Sequence, residues 1–98
     1  MERMKRVYIS GAISGLSKEE YEENFMAAIQ IVTLAGFKAV SPLNLWHPVK
    51  CWLGYMIIDI IALCLCDCVY FMDNWKSSRG ARAEYAVAMF LHKKIIQI

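Results

Sequence analysis

Apolar and polar residues alternate in short blocks that predict strands and helices in turn. The first block, residues 6–10, is rich in β-forming side chains and ends at Gly11, so we expect a strand followed by a glycine-bearing loop. Similar runs at residues 37–41, 68–72 and 94–98 predict three further strands. The run at 68–72 is continuously apolar, which is typical of a strand buried on both faces of a parallel sheet.

Between these strands the apolar positions recur every three or four residues and predict three helices. The first begins after Ser17, which precedes Glu20 at the capping-box spacing, and ends at Gly36. The second is expected from about residue 50 or 52 to residue 65, and the third ends near residue 92. The second and third helices are apolar around most of their circumference, so each has an outer face to cover as well as an inner one.

Strict alternation of strand and helix predicts one α/β domain over residues 1–98. Right-handed crossovers then give a small doubly wound sheet, flavodoxin-like or Rossmann-like, with about four parallel strands and helices on both faces. We expect the strand order 2-1-3-4. In such a sheet ligands bind beyond the carboxyl ends of the strands where the order reverses, here between strands one and three.

Composition changes this picture by suggesting assembly. Of the 98 residues 58% are hydrophobic, against roughly 45–50% in an ordinary soluble domain. Because a small domain buries a limited share of its surface, we expect a homodimer or higher homo-oligomer, with the outer faces of helices two and three at the interface. Substituting a charged residue for Ile58 or Val87 is expected to split it.

The charge and the cysteine content limit the classes of partner and cofactor that we expect. The net charge is +2 with scattered basic residues, so we expect no polymeric nucleic acid partner and no membrane partner. Asp59 and Asp67 interrupt the longest apolar stretch, which argues against a membrane helix, and a cytoplasmic location is expected. The cysteine spacing does not resemble a metal site, so we expect no metal and interpret the cysteines as reduced, buried small side chains. The first loop lacks the hydroxyl-rich phosphate cradle that a flavin needs, so we expect no other cofactor.

Two loops and two carboxylates are the candidates for chemistry. The loops at residues 11–17 and 73–80 lie at the expected ligand edge. Asp59 and Glu84 are the only carboxylates embedded in otherwise apolar helices. Burial raises a carboxyl pKa whereas a helix start lowers it, so one group can attack while the other exchanges protons, as cleavage at an anomeric carbon requires. Alternatively, Glu84 is simply a dipole partner of its helix.

These motifs resemble the nucleoside 2-deoxyribosyltransferase superfamily. The resemblance covers essentially the whole chain and rests on the segment from Tyr8 to Gly15, on Asp59 eight residues before Asp67, and on the pattern Ser78-x-Gly80-x-x-x-Glu84. It extends in particular to a branch of small bacterial and phage proteins, domain of unknown function 4406, related to 2′-deoxynucleoside 5′-phosphate N-hydrolases.

The resemblance implies hydrolysis or transfer at the N-glycosidic bond of a deoxynucleoside or deoxynucleotide. Glu84 would be the nucleophile at C1′ and Asp59 would assist the departing base. The implied contacts to the sugar, its 5′ substituent or the base are Tyr8, Ser10, Gly11, Ile13, Ser14, Gly15, Ser78 and Gly80. Trp75 either stacks on a base or covers the core.

The departures from the family pattern leave alternatives open. Phosphate-using relatives commonly have an arginine where Ser14 stands, and either Arg79 or Arg82 is a possible substitute. Asp67 is interpreted as structural, and His47 is a minor catalytic candidate. The alternative functions are a catalytically silent nucleotide- or signal-binding module of regulatory or phage-defence type, and a protein whose apolar helices serve only for assembly.

Overall fold

The computed structural model describes residues 4–96 and shows the predicted α/β fold. Its sheet has four parallel strands in the order β2-β1-β3-β4, as expected, and the three long helices lie on both faces. In chain order the elements are β1 (Arg6–Ser10), α1 (Lys18–Leu34), β2 (Lys38–Val40), a 3₁₀ turn (Pro42–Asn44), α2 (Trp52–Leu65), β3 (Cys68–Phe71), a second 3₁₀ turn (Trp75–Ser77), α3 (Arg79–Phe90) and β4 (Lys94–Ile96).

Most predicted boundaries agree with the structure to within one or two residues. The third helix ends at Phe90 because the chain reverses at once into β4, and His92 adopts a positive φ of 55° in that turn. The expected ends of the domain, residues 1–3 and 97–98, lie outside the described residues, and so does the end of the fourth predicted strand.

The start of α1 illustrates how local sequence sets an element. Ser17 is the N-cap, and its hydroxyl accepts the backbone N–H of Glu20 at 3.2 Å while it donates to the Glu20 carboxylate at 3.1 Å. Such a cap typically contributes about 1 kcal/mol. The helix then buries Phe25, Ala28 and Val32 against the sheet.

Alternation along β1 divides the interior into two layers. Val7 and Ile9 face α1, whereas Tyr8 packs on the other face with Leu63 of α2 and Ala88 of α3. Ser10 shares the Tyr8 face because side chains two apart in a strand point the same way. Tyr8 and Ser10 therefore both point towards the layer that contains α2 and α3.

The amino edge of the sheet is held by polar contacts. The carboxylate of Asp67 accepts the backbone N–H of Arg6 at 2.9 Å, and Lys93 Nζ donates to the carbonyls of Cys64 and Cys66 at 2.8 and 2.6 Å. Asp67 thus lies at the edge remote from the carboxyl ends of β1 and β3. Of the four free cysteines, Cys66 and Cys68 are buried.

The expectation of buried cysteines is wrong for Cys51 and Cys64, which are exposed. Cys51 is the N-cap of α2, where its sulfur accepts the N–H of Gly54. Cys64 lies in the last turn of α2, where the helix turns this position towards solvent.

One face of α2 is an exposed apolar stripe. It consists of Leu53, Ile57, Ile61 and Leu65, spaced four apart and each more than half exposed. In contrast, Ile58 and Val87, the positions expected at the interface, are only partly exposed, and Val87 packs against the core. The exposed apolar face of α2 therefore contains Ile57 rather than Ile58. Within residues 4–96, no helix is long and apolar enough to cross a membrane.

Candidate functional site

A cavity of about 380 Å³ opens beyond the carboxyl ends of β1 and β3. Its walls come from the loop after β1, the segment after β2, the first two turns of α2 and the start of α3. It is lined by the predicted residues Gly11, Ile13, Ser14, Asp59, Ser78, Gly80 and Glu84. The fold therefore brings together two carboxylates that are 25 positions apart in the chain.

Glu84 is held in the cavity wall by two donors from β1. Its side chain is 5% exposed. The hydroxyl of Tyr8 donates to Oε2 at 2.5 Å, and the hydroxyl of Ser10 donates to Oε1 at 2.7 Å. Tyr8 and Ser10 reach the same carboxylate because they lie two apart on one face of the strand. Both oxygens of the carboxylate are therefore positioned by the sheet.

The pKa of Glu84 is raised from 4.5 to about 7. Burial is the main cause, the hydrogen bonds from Tyr8 and Ser10 oppose it, and the nearby charge of Asp59 adds to it. Burial and the charge of Glu84 also raise the pKa of Tyr8 well above its usual value. Near neutral pH, Glu84 thus exists in both protonation states while Tyr8 remains a hydrogen-bond donor.

Asp59 is paired with an imidazole. His47 Nε2 lies 2.8 Å from Asp59 Oδ1, and both side chains are nearly buried, at 11% and 10% exposure. Burial raises the pKa of Asp59, and the hydrogen bond and charge of His47 partly oppose this rise. The ring of His47 also meets Tyr55 edge-on, with centroids 4.8 Å apart. The pair can therefore exchange a proton with a group in the cavity.

Close approach of backbone shapes the mouth of the cavity. Ser78 caps α3 through a hydrogen bond from the N–H of Ala81, and a Cβ on Gly80 would lie 3.1 Å from the sulfur of Met56. The two loops are tied together where the N–H of Ala12 donates to Asn74 Oδ1 at 3.1 Å.

The remaining predicted residues lie outside the cavity lining. Tyr8 and Ser10 are fully buried behind Glu84. Gly15 has a φ of +86° and serves the turn of the first loop. Trp75 stacks on Tyr85 with ring centroids 4.5 Å apart and packs on Phe71. Trp75 is thus part of an aromatic cluster beside α3.

Sequence reasoning missed most of the wall formed by the segment after β2 and by α2. The sequence indicates His47 only as a minor catalytic candidate, because nothing in the sequence pairs it with Asp59. Its position after β2, close to the ligand edge, was the available signal. The cavity residues that were not predicted are Tyr21, Pro42, Leu43, Trp52, Tyr55, Met56 and Ala81.

The chain belongs to the family described as domain of unknown function (DUF4406), whose model matches residues 5–97. This confirms the family expected from the motifs. A search of curated proteins gives no match. Among solved structures, the Clostridium botulinum CMP N-glycosidase BcmB is similar, with a TM-score of 0.62 and 23% identity over 93% of this chain and 68% of that chain. The match shows that the two proteins share a fold.

Proposed function

We propose that this protein cleaves the N-glycosidic bond of a deoxynucleoside or deoxynucleotide, with Glu84 as the nucleophile. The observation that carries the proposal is that one cavity contains both a buried carboxylate oriented by two hydroxyls and a second carboxylate hydrogen-bonded to an imidazole. The shared fold with an enzyme described as a CMP N-glycosidase supports the same class of reaction.

In the first step the ionised Glu84 attacks C1′ of the sugar. A bond forms between a carboxylate oxygen and C1′ while the bond from C1′ to the base nitrogen breaks. The transition state has oxocarbenium character, which the negative charge of Glu84 stabilises. The base leaves with the bonding electron pair and takes a proton from the hydrogen-bonded pair of Asp59 and His47.

In the second step the glycosyl ester on Glu84 is broken. The same Asp59 and His47 pair accepts a proton from water, whose oxygen bonds to C1′ as the ester bond to Glu84 breaks. The free sugar leaves and the Glu84 carboxylate returns to the hydrogen bonds of Tyr8 and Ser10. Transfer follows the same route when a second base replaces water.

The cavity also offers surfaces for the rest of the substrate. Trp52 and Tyr55 line it from α2. The Arg79 guanidinium covers one face of Trp52, and the ring of Tyr55 provides an aromatic surface suited to a base. The hydroxyls of Ser14 and Ser78 lie in the same wall and suit the hydroxyls of a sugar. In this proposal the protein works without a metal or cofactor.

We propose in addition that the protein forms a homodimer. The exposed apolar stripe begins at Leu53, one residue after Trp52 of the cavity wall. A second copy that covers the stripe would therefore approach the mouth of the cavity. Burial of such a surface stabilises by roughly 25 cal/mol per Å² of apolar area.

The direct test is release of free base, measured by chromatography, from a panel of ribo- and deoxynucleosides and their 5′-monophosphates. Glu84→Gln should abolish release and Asp59→Asn should slow it about 10²- to 10⁴-fold, whereas Glu23→Gln, an exposed control on α1, should match the wild type. Wild-type rates in Glu84→Gln would refute the assignment. Tight binding of one of these compounds without base release would instead support the silent binding module.

A further inference from the structure

The charge of the cavity disfavours binding of those proposed substrates that carry a 5′-phosphate. The residues that line it include two carboxylates, Asp59 and Glu84, and none of the described lining residues is Lys or Arg. A nucleoside without a phosphate meets no charge repulsion there. A 5′-monophosphate carries up to two negative charges and is repelled by the two carboxylates, so a cation at the rim would favour its binding.

Two arginines at the start of α3 are close enough to be that cation. The guanidinium of Arg82 is already engaged, because its Nη1 donates to the carbonyl of Lys76 at 3.0 Å. The guanidinium carbon of Arg79, in contrast, lies 3.9 Å from the ring centroid of Trp52, which lines the cavity. The structure thus separates two residues that the sequence left equivalent.

The contact with Trp52 holds the Arg79 guanidinium in an orientation that can bind an anion. A guanidinium stacked on an aromatic face keeps the N–H groups at its edge available and loses little conformational freedom on binding. Within residues 4–96 the Arg79 side chain forms no ion pair with a carboxylate. Its neighbours Ser78 and Gly80 both line the cavity, so its backbone is part of the rim.

The spacing along α3 also fits. Arg79 and Glu84 are five residues apart, about 7.5 Å along the helix axis at 1.5 Å per residue. A substrate with C1′ at Glu84 and its 5′ substituent directed towards the start of α3 would place its phosphate on the side of the cavity where Arg79 lies.

We propose that Arg79 binds the 5′-phosphate and makes this site select nucleoside monophosphates over nucleosides. The inference rests on the proposed function and names its substrate class. A guanidinium binds phosphate through two parallel hydrogen bonds, and here it also offsets the repulsion from the two carboxylates.

The test is the selectivity ratio, defined as kcat/KM for a 5′-monophosphate divided by kcat/KM for the matching nucleoside. The wild type should favour the monophosphate, and Arg79→Gln should lower the ratio about 10- to 100-fold, the effect expected for loss of a charge-assisted pair. Arg79→Lys should recover part of the ratio, since charge remains but the paired donors are lost. Arg82→Gln is the matched control and should keep the wild-type ratio.

The outcomes separate this inference from the proposed function. If base is released from nucleosides and monophosphates with equal efficiency, or if Arg79→Gln keeps the ratio, the Arg79 inference is wrong while the function stands. If no base is released from any compound, the proposed function fails, and calorimetry then decides the inference. Tighter binding of the monophosphate that Arg79→Gln weakens at least tenfold supports it; equal affinity for both compounds overturns it.

Discussion

The raised pKa of Glu84 has a consequence for stability that is independent of catalysis. The ionised carboxylate is disfavoured in the folded state, where its pKa is about 7, relative to the unfolded chain, where it is near 4.5. Below pH 4.5 the group is protonated in both states and has no effect. As pH rises from 4.5 to about 7, the unfolded chain ionises while the folded chain stays largely protonated, so the folded state loses stability until both states are ionised.

The magnitude follows from the size of the rise. One pKa unit corresponds to about 1.4 kcal/mol, so ionisation of Glu84 costs the folded state about 3 kcal/mol once the pH is well above 7. About 2 to 3 kcal/mol of this falls between pH 5 and pH 8. Small domains are stable by only about 5–15 kcal/mol, and the effect is therefore large enough to measure.

The perturbation is Glu84→Gln, which keeps the shape of the side chain and removes its charge. We expect the free energy of unfolding of the wild type, from urea titrations, to fall between pH 5 and pH 8 by about 2 to 3 kcal/mol more than that of the variant. Glu23→Gln, at an exposed position of α1, should follow the wild type. Equal pH dependence in the wild type and Glu84→Gln would refute the idea that burial in this cavity destabilises the charged carboxylate.

Three further predictions follow from the same structure. Tyr8→Phe removes a hydrogen bond that lowers the pKa of Glu84, so the rising limb of the pH profile of kcat/KM should move to higher pH. The control is Tyr70→Phe, on the opposite face of the sheet. A limb that does not move would argue against Glu84 as the ionising group. Ile61→Lys, in the exposed stripe of α2, should weaken the proposed dimer at least tenfold in analytical ultracentrifugation, whereas Met26→Lys, at a similarly exposed position of α1, should not. An association constant that Ile61→Lys leaves unchanged would contradict an interface on this stripe. Leu63→Ala, at a fully buried position, should lower the free energy of unfolding by about 2–5 kcal/mol in urea, and a loss below 1 kcal/mol would mean that the layer between α2, α3 and the sheet repacks.

The order of elements, the strand order and the edge that carries the site were predictable because each depends on local periodicity or on a topological rule. The cap at Ser17 and the stop near Gly36 are local chemical signals, and alternation of strand and helix leaves few ways to build a parallel sheet. Asp59 and Glu84 stood out for a similar reason, since a lone carboxylate in an apolar helix is visible in one dimension.

Other features depend on distances between parts of the chain that no local pattern relates. Tyr8 and Glu84 are 76 positions apart, and only the packing of α3 on the sheet makes one a donor to the other and lets burial raise the pKa of Glu84. The same holds for His47 and Asp59, which a loop of irregular structure brings to 2.8 Å.

The arginines of α3 and the outer face of α2 show the same division. Arg79 and Arg82 are equivalent in sequence, yet rotation of about 100° per residue along the helix directs one guanidinium to Trp52 and the other to the carbonyl of Lys76. A helix that is apolar all round likewise reveals that some face needs covering, but the sheet determines which face is already buried. The amino-acid pattern thus specifies the elements and their order, while the orientation of each side chain, and with it the charge and reactivity of the site, comes from packing.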